Sequence, residues 1–374
     1  MRIVFLGPTY PLRGGIARYG TCLLGALQQR HDCLGIGFKK LYPSWLFPGK
    51  GELEQGDMPD SGAQAQALLH YGMPGTWRQA LRQIKEFSPS CVVLTWWVTF
   101  WALHLGWLAR NLASVCPVIF LCHNILPHEA RFCDPQLTHW ALRIARGYIV
   151  HSEENLRQLS EWFPGGRVIR RDHPVYFSDA RFSLSREEAR KRLGIAARMI
   201  LFFGFVRPYK GLDVAIEALS LLGLDFQDLT LWVSGEFWEG EERYHRLADQ
   251  LGVADRVRIE SGYLPDEDLA LRISACDGVV LPYRTATGSG VLATAYALNR
   301  PVIATRTGCL QDMVIPGRTG LLCNPGDARS LADAISDFYA SEGPQRFAGG
   351  IEEANRRFTW DAIVDAIEEL AGDG

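Results

Sequence analysis

The sequence predicts two α/β domains in tandem, each a doubly wound parallel sheet with helices on both faces. Three observations support this prediction. The chain has 374 residues, which is more than a single hydrophobic core usually serves. Short apolar runs alternate with helical stretches in both halves, a pattern typical of doubly wound folds. A polar connector at 172–198, with a charged helix at 185–194, separates the first alternation from the second.

In the first half, short runs rich in β-branched and aromatic residues predict strands, and longer amphipathic runs predict helices. The predicted strands are 2–7, 33–38, 91–95, 117–122, 147–151 and 167–170, and the predicted helices are 15–29, 76–86, 100–113, 136–145 and 153–162. Residues 41–75 interrupt the alternation with proline, glycine and polar residues. We interpret them as a long loop, and such loops are often functional.

The second half repeats the alternation and ends on helices. The predicted strands are 199–204, 230–235, 257–259, 278–282 and 301–305, and the predicted helices are 212–222, 243–251, 266–275, 289–299, 327–341, 345–357 and 359–371. The predicted domains are 1–175 and 199–357, joined by a linker at 176–198 and followed by a terminal helix at 358–374. Ligands of such sheets bind beyond the carboxyl ends of the strands, so the loops there are the candidate sites.

Composition and charge exclude several classes of protein. The chain is 47% hydrophobic and 22% charged, and its mean hydropathy is −0.04, which is not the composition of a disordered, collagen-like or multi-spanning membrane protein. A net charge of −3 argues against binding nucleic acid through its phosphates. The charge is uneven, because residues 1–175 carry about +6 and the rest about −9. The basic half favours an anionic partner or a membrane surface, or it is a scattered solvated face.

The nine cysteines include no C-x-x-C pair and are odd in number. Several lie in apolar runs, so we interpret them as reduced core residues rather than a metal site or a disulfide framework. The chain begins as a strand that runs into a glycine turn, not as a signal peptide. We therefore expect a cytoplasmic protein that needs no metal or other cofactor.

The stretch 87–109 has no charged residue other than His104 and is long enough to cross a bilayer. A strand, a turn and a helix fit its pattern better than one span. Its tryptophans indicate either a buried helix or a lipid-facing patch for a polyprenyl-linked acceptor; they are Trp96, Trp97, Trp101 and Trp107. The nearby basic residues would then serve an anionic headgroup or lie on a solvated helix face; they are Arg78, Arg82 and Lys85.

Two loops of the first half carry candidate chemistry. Arg13, Gly14 and Gly15 follow the first strand, where glycines allow an anion to approach the backbone and a helix start favours negative charge. The alternative is a plain tight turn. His123 follows strand 117–122, with His128 and Glu129 beyond it. We expect His123 to reach a substrate, and the other two to orient an acceptor or pair with each other. Their spacing does not fit a zinc motif.

Two loops of the second half look built for phosphate. Arg207 and Lys210 lie between the first strand and a helix start, within a loop bounded by glycines, and two fixed cations there suit a phosphate-bearing ligand. The second loop offers free backbone N–H groups at a helix start; its residues are Thr287, Gly288, Ser289, Gly290 and Val291. The alternatives are surface charge in one loop and a capped glycine turn in the other.

In its motifs and their order, the sequence resembles glycosyltransferases of the GT-B fold, most closely family 4 of the retaining enzymes. The resemblance covers nearly the whole chain. The matching residues are Gly14-Gly15, His123, Arg207, Lys210-Gly211, Gly235-Glu236, Tyr263-Leu264 and Phe358-Thr359-Trp360. Lys210-Gly211 is the most specific of them. The resemblance implies two Rossmann-like domains facing a central cleft, and a C-terminal helix that crosses back to the first domain.

The resemblance also implies roles for these residues. Gly14-Gly15 would pack on the donor diphosphate and sugar, and His123 would contact the donor sugar. Arg207 and Lys210 would bind the phosphates. Gly235-Glu236 would form a glycine-rich turn, and Tyr263-Leu264 would lie near the nucleotide base. The implied reaction is metal-independent transfer, with retention, of a hexosyl group from a nucleotide-diphosphate sugar to a glycan or lipid-linked saccharide. The acceptor would bind the first domain, where Arg13, His128, Glu129, Trp97 and Trp101 are candidates, with peripheral contact to the cytoplasmic face of a membrane.

The sequence departs from the family at its paired glutamates, which hold the donor sugar and the ribose. Aligning on Gly288-x-Gly290 puts Thr287 and Ala295 at these positions. Two alternatives therefore stay open. One is a degenerate GT-B scaffold that binds a partner protein, which the missing glutamates favour and the retained cations oppose. The other is a sugar-nucleotide epimerase, which would need the missing carboxylates.

Overall fold

The computed structural model describes residues 1–43, 53, 63–127, 132–175, 184–340 and 343–372. The chain forms two compact units. Unit 1 comprises Met1–Pro174 with Thr359–Gly374, and unit 2 comprises Val175–Phe358. Each unit holds one fully parallel sheet with helices, so the predicted fold class of two α/β units in tandem is confirmed.

Unit 1 is built on a seven-stranded sheet in the order β3-β2-β1-β4-β5-β6-β7. The strands are β1 (Arg2–Leu6), β2 (Asp32–Lys40), β3 (Gln66–His70), β4 (Cys91–Trp96), β5 (Val118–Cys122), β6 (Gly147–Val150) and β7 (Arg167–Arg170). The central strands β4 and β5 are buried along their whole length, which is why they are continuous apolar runs in the sequence.

Strand β3 corrects our interpretation of 41–75 as a loop throughout. Among the described strands it lies at the edge of the sheet and pairs with β2 alone, and most of its residues are partly or fully exposed. An edge strand of this kind needs no apolar run, so its composition does not distinguish it from a loop. Most of residues 44–62 in the same stretch lie outside the described part of the chain.

The helices of unit 1 are α1 (Gly15–Arg30), α2 (Pro74–Phe87), α3 (Ala102–Leu112), α4 (Asp134–Leu142), α5 (Glu153–Trp162) and the C-terminal helix α14 (Trp360–Gly372). Helix α14 packs on α1. Arg30 donates to Asp365 at 2.7 Å and to Glu368 at 2.7 Å, and Arg167 donates to Glu369 at 3.1 Å. These ion pairs attach the last helix of the chain to the first unit.

Unit 2 is built on a six-stranded sheet in the order β10-β9-β8-β11-β12-β13. The strands are β8 (Met199–Phe203), β9 (Thr230–Gly235), β10 (Val257–Ser261), β11 (Gly278–Leu281), β12 (Val302–Thr305) and β13 (Gly320–Cys323). The helices are α6 (Arg186–Leu193), α7 (Leu212–Ser220), α8 (Glu242–Gln250), α9 (Asp266–Ala275), α10 (Gly290–Ala297), α11 (Gly308–Met313), α12 (Ala328–Tyr339) and α13 (Ala348–Asn355). We did not predict β13 and α11, which have only four and six residues.

Helix α6 lies in the stretch predicted as a linker, and it packs against α9 of unit 2. The buried carboxylate of Asp277 fixes it there. Asp277 accepts hydrogen bonds from Arg186 and Arg190 of α6, from the backbone N–H of Met199 at 2.8 Å, and from the Tyr339 hydroxyl at 2.8 Å. A buried carboxylate is stable only with partners of this kind.

Within the described part of the chain, no helix is long and apolar enough to cross a membrane. The stretch 87–109 forms the end of α2, strand β4, a short turn and most of α3. The prediction of strand and helix in place of one span is therefore confirmed.

We expect Asp277→Ala to lower the free energy of unfolding by about 3–5 kcal/mol, because it leaves two arginines and a buried N–H without their acceptor. Urea denaturation measures this. The control is Glu353→Ala, which removes an exposed ion pair with Arg318 and should cost about 0–1 kcal/mol. Equal losses for the two variants would contradict the role given to Asp277.

Candidate functional site

Each sheet has one point where the strand order reverses, and ligand sites of open α/β sheets form there. In unit 2 it lies between β8 and β11, which are neighbours although three helices and two strands separate them in sequence. In unit 1 it lies between β1 and β4. The loops that follow these four strands contain most of the residues selected from the sequence.

The loop after β8 is short and tightly held against the loop after β11. It contains a 3₁₀ turn, Pro208–Lys210, that ends at Gly211 with a φ of 67°. A Cβ at Gly211 would lie 2.1 Å from the carbonyl oxygen of Pro282, so only glycine fits on both counts. This explains physically why Lys210 is followed by glycine.

Arg284 joins the same two loops. Its backbone N–H donates to the Tyr209 carbonyl at 2.7 Å, and its guanidinium donates to the Pro208 carbonyl at 2.9 Å. The guanidinium also binds both carboxylate oxygens of Asp213, at 2.9 and 2.8 Å. A bidentate pair of this kind fixes orientation. Arg284 therefore holds the turn that carries Lys210, and sequence reasoning missed it.

Lys210 is buried, with only 7% of its surface exposed. Burial, together with the charge of Arg207, lowers the pKa of its ammonium to about 8. No carboxylate forms an ion pair with Lys210 among the residues that the structure describes. Its Nζ lies 5.4 Å from the centroid of the Tyr283 ring, and a Cβ on Gly204 would lie 3.3 Å from it. The site thus holds a buried cation that an anion would stabilise.

Arg207 lies against two aromatic rings. Its Cζ is 4.7 Å from the centroid of Trp238 and 5.4 Å from that of Tyr209. Trp238 belongs to the loop after β9, which a bridge between Val206 and Phe237 joins to the loop after β8. Sequence reasoning missed Trp238. The signal was present, since an aromatic pair lies directly after Gly235-Glu236.

The other predicted donor residues of unit 2 lie at the same end of the sheet. Gly235 ends β9, and a Cβ there would lie 1.9 Å from the Gly204 carbonyl oxygen. Its own carbonyl accepts the N–H of Gly262 at 2.9 Å, which holds the segment with Tyr263 and Leu264 beside it. The structure therefore brings the loops after β8, β9 and β10 together, and Glu236 lies within them.

The predicted anion cradle is the start of helix α10. Ser289 is the N-cap, and its hydroxyl accepts the N–H of Leu292 at 3.1 Å. Thr287, Gly290 and Val291 are partly exposed around it, and Gly288 is exposed. The capping predicted as an alternative is therefore present, and it leaves the other first-turn N–H groups for a ligand.

The side chain of Ala295 is not placed to contact a ribose. Its side chain has no exposed surface and lies in the apolar core of unit 2, so a carboxylate there would be buried among hydrocarbon. The neighbouring Thr294 is 5% exposed, and its hydroxyl donates to the Gly290 carbonyl at 2.7 Å. Aligning the chain on its glycines therefore misplaced this position of the family pattern.

In unit 1 the glycine loop after β1 leads into α1. Gly14 is the N-cap residue with φ 106° and ψ 164°, a conformation that only glycine adopts readily. A Cβ at Gly15 would meet no atom within 4 Å, so there is space beside the chain at this residue. Arg13 precedes them and is partly buried.

His123 follows β5 and belongs to a cluster of rings that are buried except for Trp360, which is partly exposed. The others are Tyr19 from α1, His151 after β6, His173 after β7 and Trp360 from α14. Tyr19 is at the centre. Its centroid lies 4.6 Å from that of His123, 5.3 Å from that of His151 and 5.1 Å from that of His173. Sequence reasoning selected only His123.

Burial keeps these imidazoles neutral. It lowers the pKa of His151 to about 4 and that of His173 to about 3, and it lowers the pKa of His123 well below its usual value. The second cause for His123 and His173 is repulsion within the cluster. His151 Nδ1–H donates to the Arg171 carbonyl at 2.9 Å. The Nε2 atoms of His123 and His151 are buried and have no hydrogen-bond partner among the described residues.

Four of the predicted acceptor residues are either outside the described part of the chain or buried. His128 and Glu129 lie outside the described residues. Trp101 has no exposed surface, and Trp97 is 7% exposed and donates through Nε1 to the Tyr42 hydroxyl at 2.8 Å. Both rings pack in the core of unit 1. Their assignment to an acceptor is corrected to the alternative that this part of the stretch is buried.

Six of the nine cysteines are buried, Cys22 and Cys33 are partly buried, and Cys133 is exposed. Burial raises the pKa of several of these thiols, to about 11 for Cys33 and Cys116. No group of three or more His, Cys, Asp or Glu side chains with the geometry of a metal site occurs among the described residues.

Comparison with known proteins identifies the family. Residues 185–357 match the family model described as glycosyl transferases group 1. The D-inositol 3-phosphate glycosyltransferase of Thermomonospora curvata is 31% identical over 296 residues, which cover 71% of this chain and 68% of that protein. The enzyme of the same name from Corynebacterium jeikeium is 28% identical over 294 residues, which cover 71% and 68%.

Solved structures agree in fold. Anabaena HepE in complex with UDP superposes with a TM-score of 0.75 at 19% identity over 99% of both chains. Sucrose-phosphate synthase from Thermosynechococcus elongatus gives 0.73 at 20% identity over 99% of this chain and 98% of that one. The two parallel sheets are therefore those of a GT-B glycosyltransferase. The chain belongs to the group 1 glycosyl transferases, and the predicted function, a glycosyltransferase, is confirmed.

The neutral histidine cluster makes the stability of unit 1 depend on pH. In the unfolded chain His151 and His173 bind protons below about pH 6.5, whereas in the folded unit they stay neutral to about pH 4 and pH 3. The unfolded state therefore gains protons first as the pH falls. We expect the free energy of unfolding to drop by about 1–2 kcal/mol per histidine between pH 7 and pH 5.

Urea denaturation at the two pH values measures this drop. It should be smaller in a His151→Gln, His173→Gln variant and unchanged in the control His139→Gln, which removes an exposed histidine of α4. An unaltered pH dependence in the double variant would refute the assignment, whatever the variant's absolute stability.

Proposed function

We propose that this glycosyltransferase takes its sugar from a nucleotide-diphosphate donor whose phosphates bind Arg207 and Lys210. The observation that carries the proposal is Lys210 itself, a buried ammonium with no carboxylate partner among the described residues, at the strand-order reversal of unit 2. A protein buries such a charge where a ligand of opposite charge completes the site. The UDP and UDP-glucose complexes of HepE support a donor of this class.

The chemistry follows from the two cations. As the bond between the sugar and the diphosphate breaks, negative charge grows on the departing phosphate and the sugar gains oxocarbenium character. Arg207, Lys210 and the first-turn N–H groups of α10 stabilise that negative charge electrostatically. These groups supply the positive charge without a metal, so we propose metal-independent transfer. We also propose retention: the acceptor oxygen bonds to the sugar carbon on the face that the diphosphate leaves, and the hydroxyl proton passes to the departing diphosphate.

In unit 1 we propose that His123 hydrogen-bonds a hydroxyl of the donor sugar. Its ring is neutral at physiological pH, because burial holds its pKa far below 6.5. A neutral imidazole offers one donor and one acceptor, which suits a hydroxyl. Gly14 and Gly15 form the start of α1, and there is space beside Gly15. The acceptor is a glycan or lipid-linked saccharide, or an inositol phosphate like that in the names of the relatives.

Calorimetric titration with UDP-, GDP- and dTDP-sugars tests the donor site. We expect one class to bind and Lys210→Ala to weaken it at least tenfold, since the variant removes a buried charge from the anion. Lys191→Ala is the control, because it removes an exposed lysine of α6 in the same unit and should leave binding unchanged. Binding that is unaffected by Lys210→Ala would remove the phosphate assignment. No binding by any sugar would favour the scaffold alternative.

The same titration gives a pH signature. Free Lys210, with its pKa of about 8, is mostly neutral at pH 9, whereas a bound diphosphate favours the ammonium. Binding at pH 9 should therefore take up about one proton, and affinity should fall roughly tenfold from pH 7.5 to pH 9. Lys210→Arg keeps its charge throughout and should flatten this dependence. A wild-type affinity that is constant over this range would contradict a titrating Lys210 in the site.

We also propose that unit 1 contacts an anionic membrane surface through α3 and α2. Three exposed apolar residues fall at helical spacing in and just before α3: Phe100 (36% exposed), Leu103 (61%) and Trp107 (36%). Helix α2 packs beside α3 and exposes Arg78, Arg82 and Lys85 at helical spacing. An apolar face flanked by basic residues suits lipid with an anionic headgroup.

Co-sedimentation with vesicles tests this surface. We expect binding to phosphatidylglycerol-containing vesicles and little to pure phosphatidylcholine, and about a tenfold loss in a Leu103→Ser, Trp107→Ser variant, because less apolar area enters the bilayer. The control is Leu224→Ser, which removes an apolar side chain of unit 2 that is 87% exposed. Equal binding by the two variants would argue against contact through α3.

A further inference from the structure

The loop after β9 contacts the loop that carries Arg207 and Lys210 through its backbone as well as its rings. The N–H of Val206 donates to the Glu236 carbonyl at 2.8 Å, and the N–H of Trp238 donates to the Val206 carbonyl at 3.4 Å. Trp238 is therefore held by the residue that directly precedes Arg207. The two loops form one structural element at the carboxyl ends of β8 and β9.

The ring of Phe205 also contacts Trp238. The centroid of Phe205 lies 5.6 Å from that of Trp238, with the planes at 57°. Trp238 is only partly exposed, so its indole packs against the two loops. Backbone on one side and Phe205 on another thus restrict the positions that the indole can take.

The indole in turn restricts Arg207. The guanidinium carbon lies 4.7 Å from the centroid of Trp238 and 5.4 Å from that of Tyr209. Tryptophan gives the strongest cation–π attraction of the aromatic residues. An arginine side chain that rests on a ring face has fewer rotamers to lose when it binds a phosphate.

We propose that Trp238 is a positioning residue for the phosphate-binding Arg207 and that it acts through the guanidinium rather than on the ligand. This inference rests on the proposed function, which assigns the donor diphosphate to Arg207. Trp238 lowers the cost of ordering that arginine, so it raises the affinity for the nucleotide diphosphate without touching it.

A double-mutant cycle tests the proposal, with UDP first as the probe, then GDP and dTDP, in calorimetric titrations. Trp238→Leu should weaken binding about tenfold, because it removes the ring face, and Trp238→Phe should restore most of that loss. In an Arg207→Ala background, Trp238→Leu should change the affinity less than twofold. Additive losses from the two substitutions would overturn the proposal, since Trp238 would then act independently of Arg207.

The matched control is Phe226→Leu. Arg198 lies 4.7 Å from the centroid of Phe226 in the same unit, so this variant removes a cation–π contact of the same length away from the two loops. It should leave the affinity for UDP unchanged. Thermal unfolding identifies any variant that has lost its fold, and Trp238→Met replaces Trp238→Leu in that case.

The remaining outcomes separate the two proposals. If Arg207→Ala weakens binding and neither Trp238→Leu nor Trp238→Met does, Trp238 is not a positioning residue, and the phosphate assignment stands. If Arg207→Ala leaves nucleotide affinity unchanged, the phosphate assignment itself fails, and the positioning role fails with it.

Discussion

The burial of one lysine ammonium, that of Lys210, depends on the contact between two loops of unit 2. Lys210 reaches its place only because Gly211 brings the turn within contact of Pro282 and because Arg284 ties that turn to the loop after β11. An ammonium removed from water without an ion pair loses much of its hydration energy. This loss is the main reason why the pKa of Lys210 is lowered. The surrounding structure keeps the ammonium in place, so the stability of the fold offsets the cost of burying it.

In unit 1 the buried titratable groups are uncharged, in contrast to the buried ammonium of unit 2. Its histidine cluster lies at the carboxyl ends of three adjacent strands, where a charged group would otherwise be expected to face a ligand. Burial and mutual repulsion keep the imidazoles uncharged, so they act as hydrogen-bonding groups. Unit 1 therefore presents neutral polar rings where unit 2 presents positive charge.

The sequence predicted the parts of this arrangement that depend on local pattern. Buried parallel strands are apolar runs, and Lys210-Gly211 follows one directly, so both could be located without coordinates. Strand β3 could not, because an edge strand with exposed residues has the composition of a loop. His151 and His173 were missed since each is a single histidine in its own segment, and only the sheet brings them to Tyr19. Ala295 was misplaced because glycine spacing in a turn does not fix which face of the following helix points inward.

The two cations of unit 2 both lie against aromatic rings. Arg207 rests on Trp238 and Tyr209, and Lys210 lies near the face of Tyr283. A ring face orients a cation and leaves its charge unchanged. Under the proposed function, these oriented charges make the diphosphate the part of the donor that unit 2 binds, and the aromatic rings are what hold the two cations ready for it.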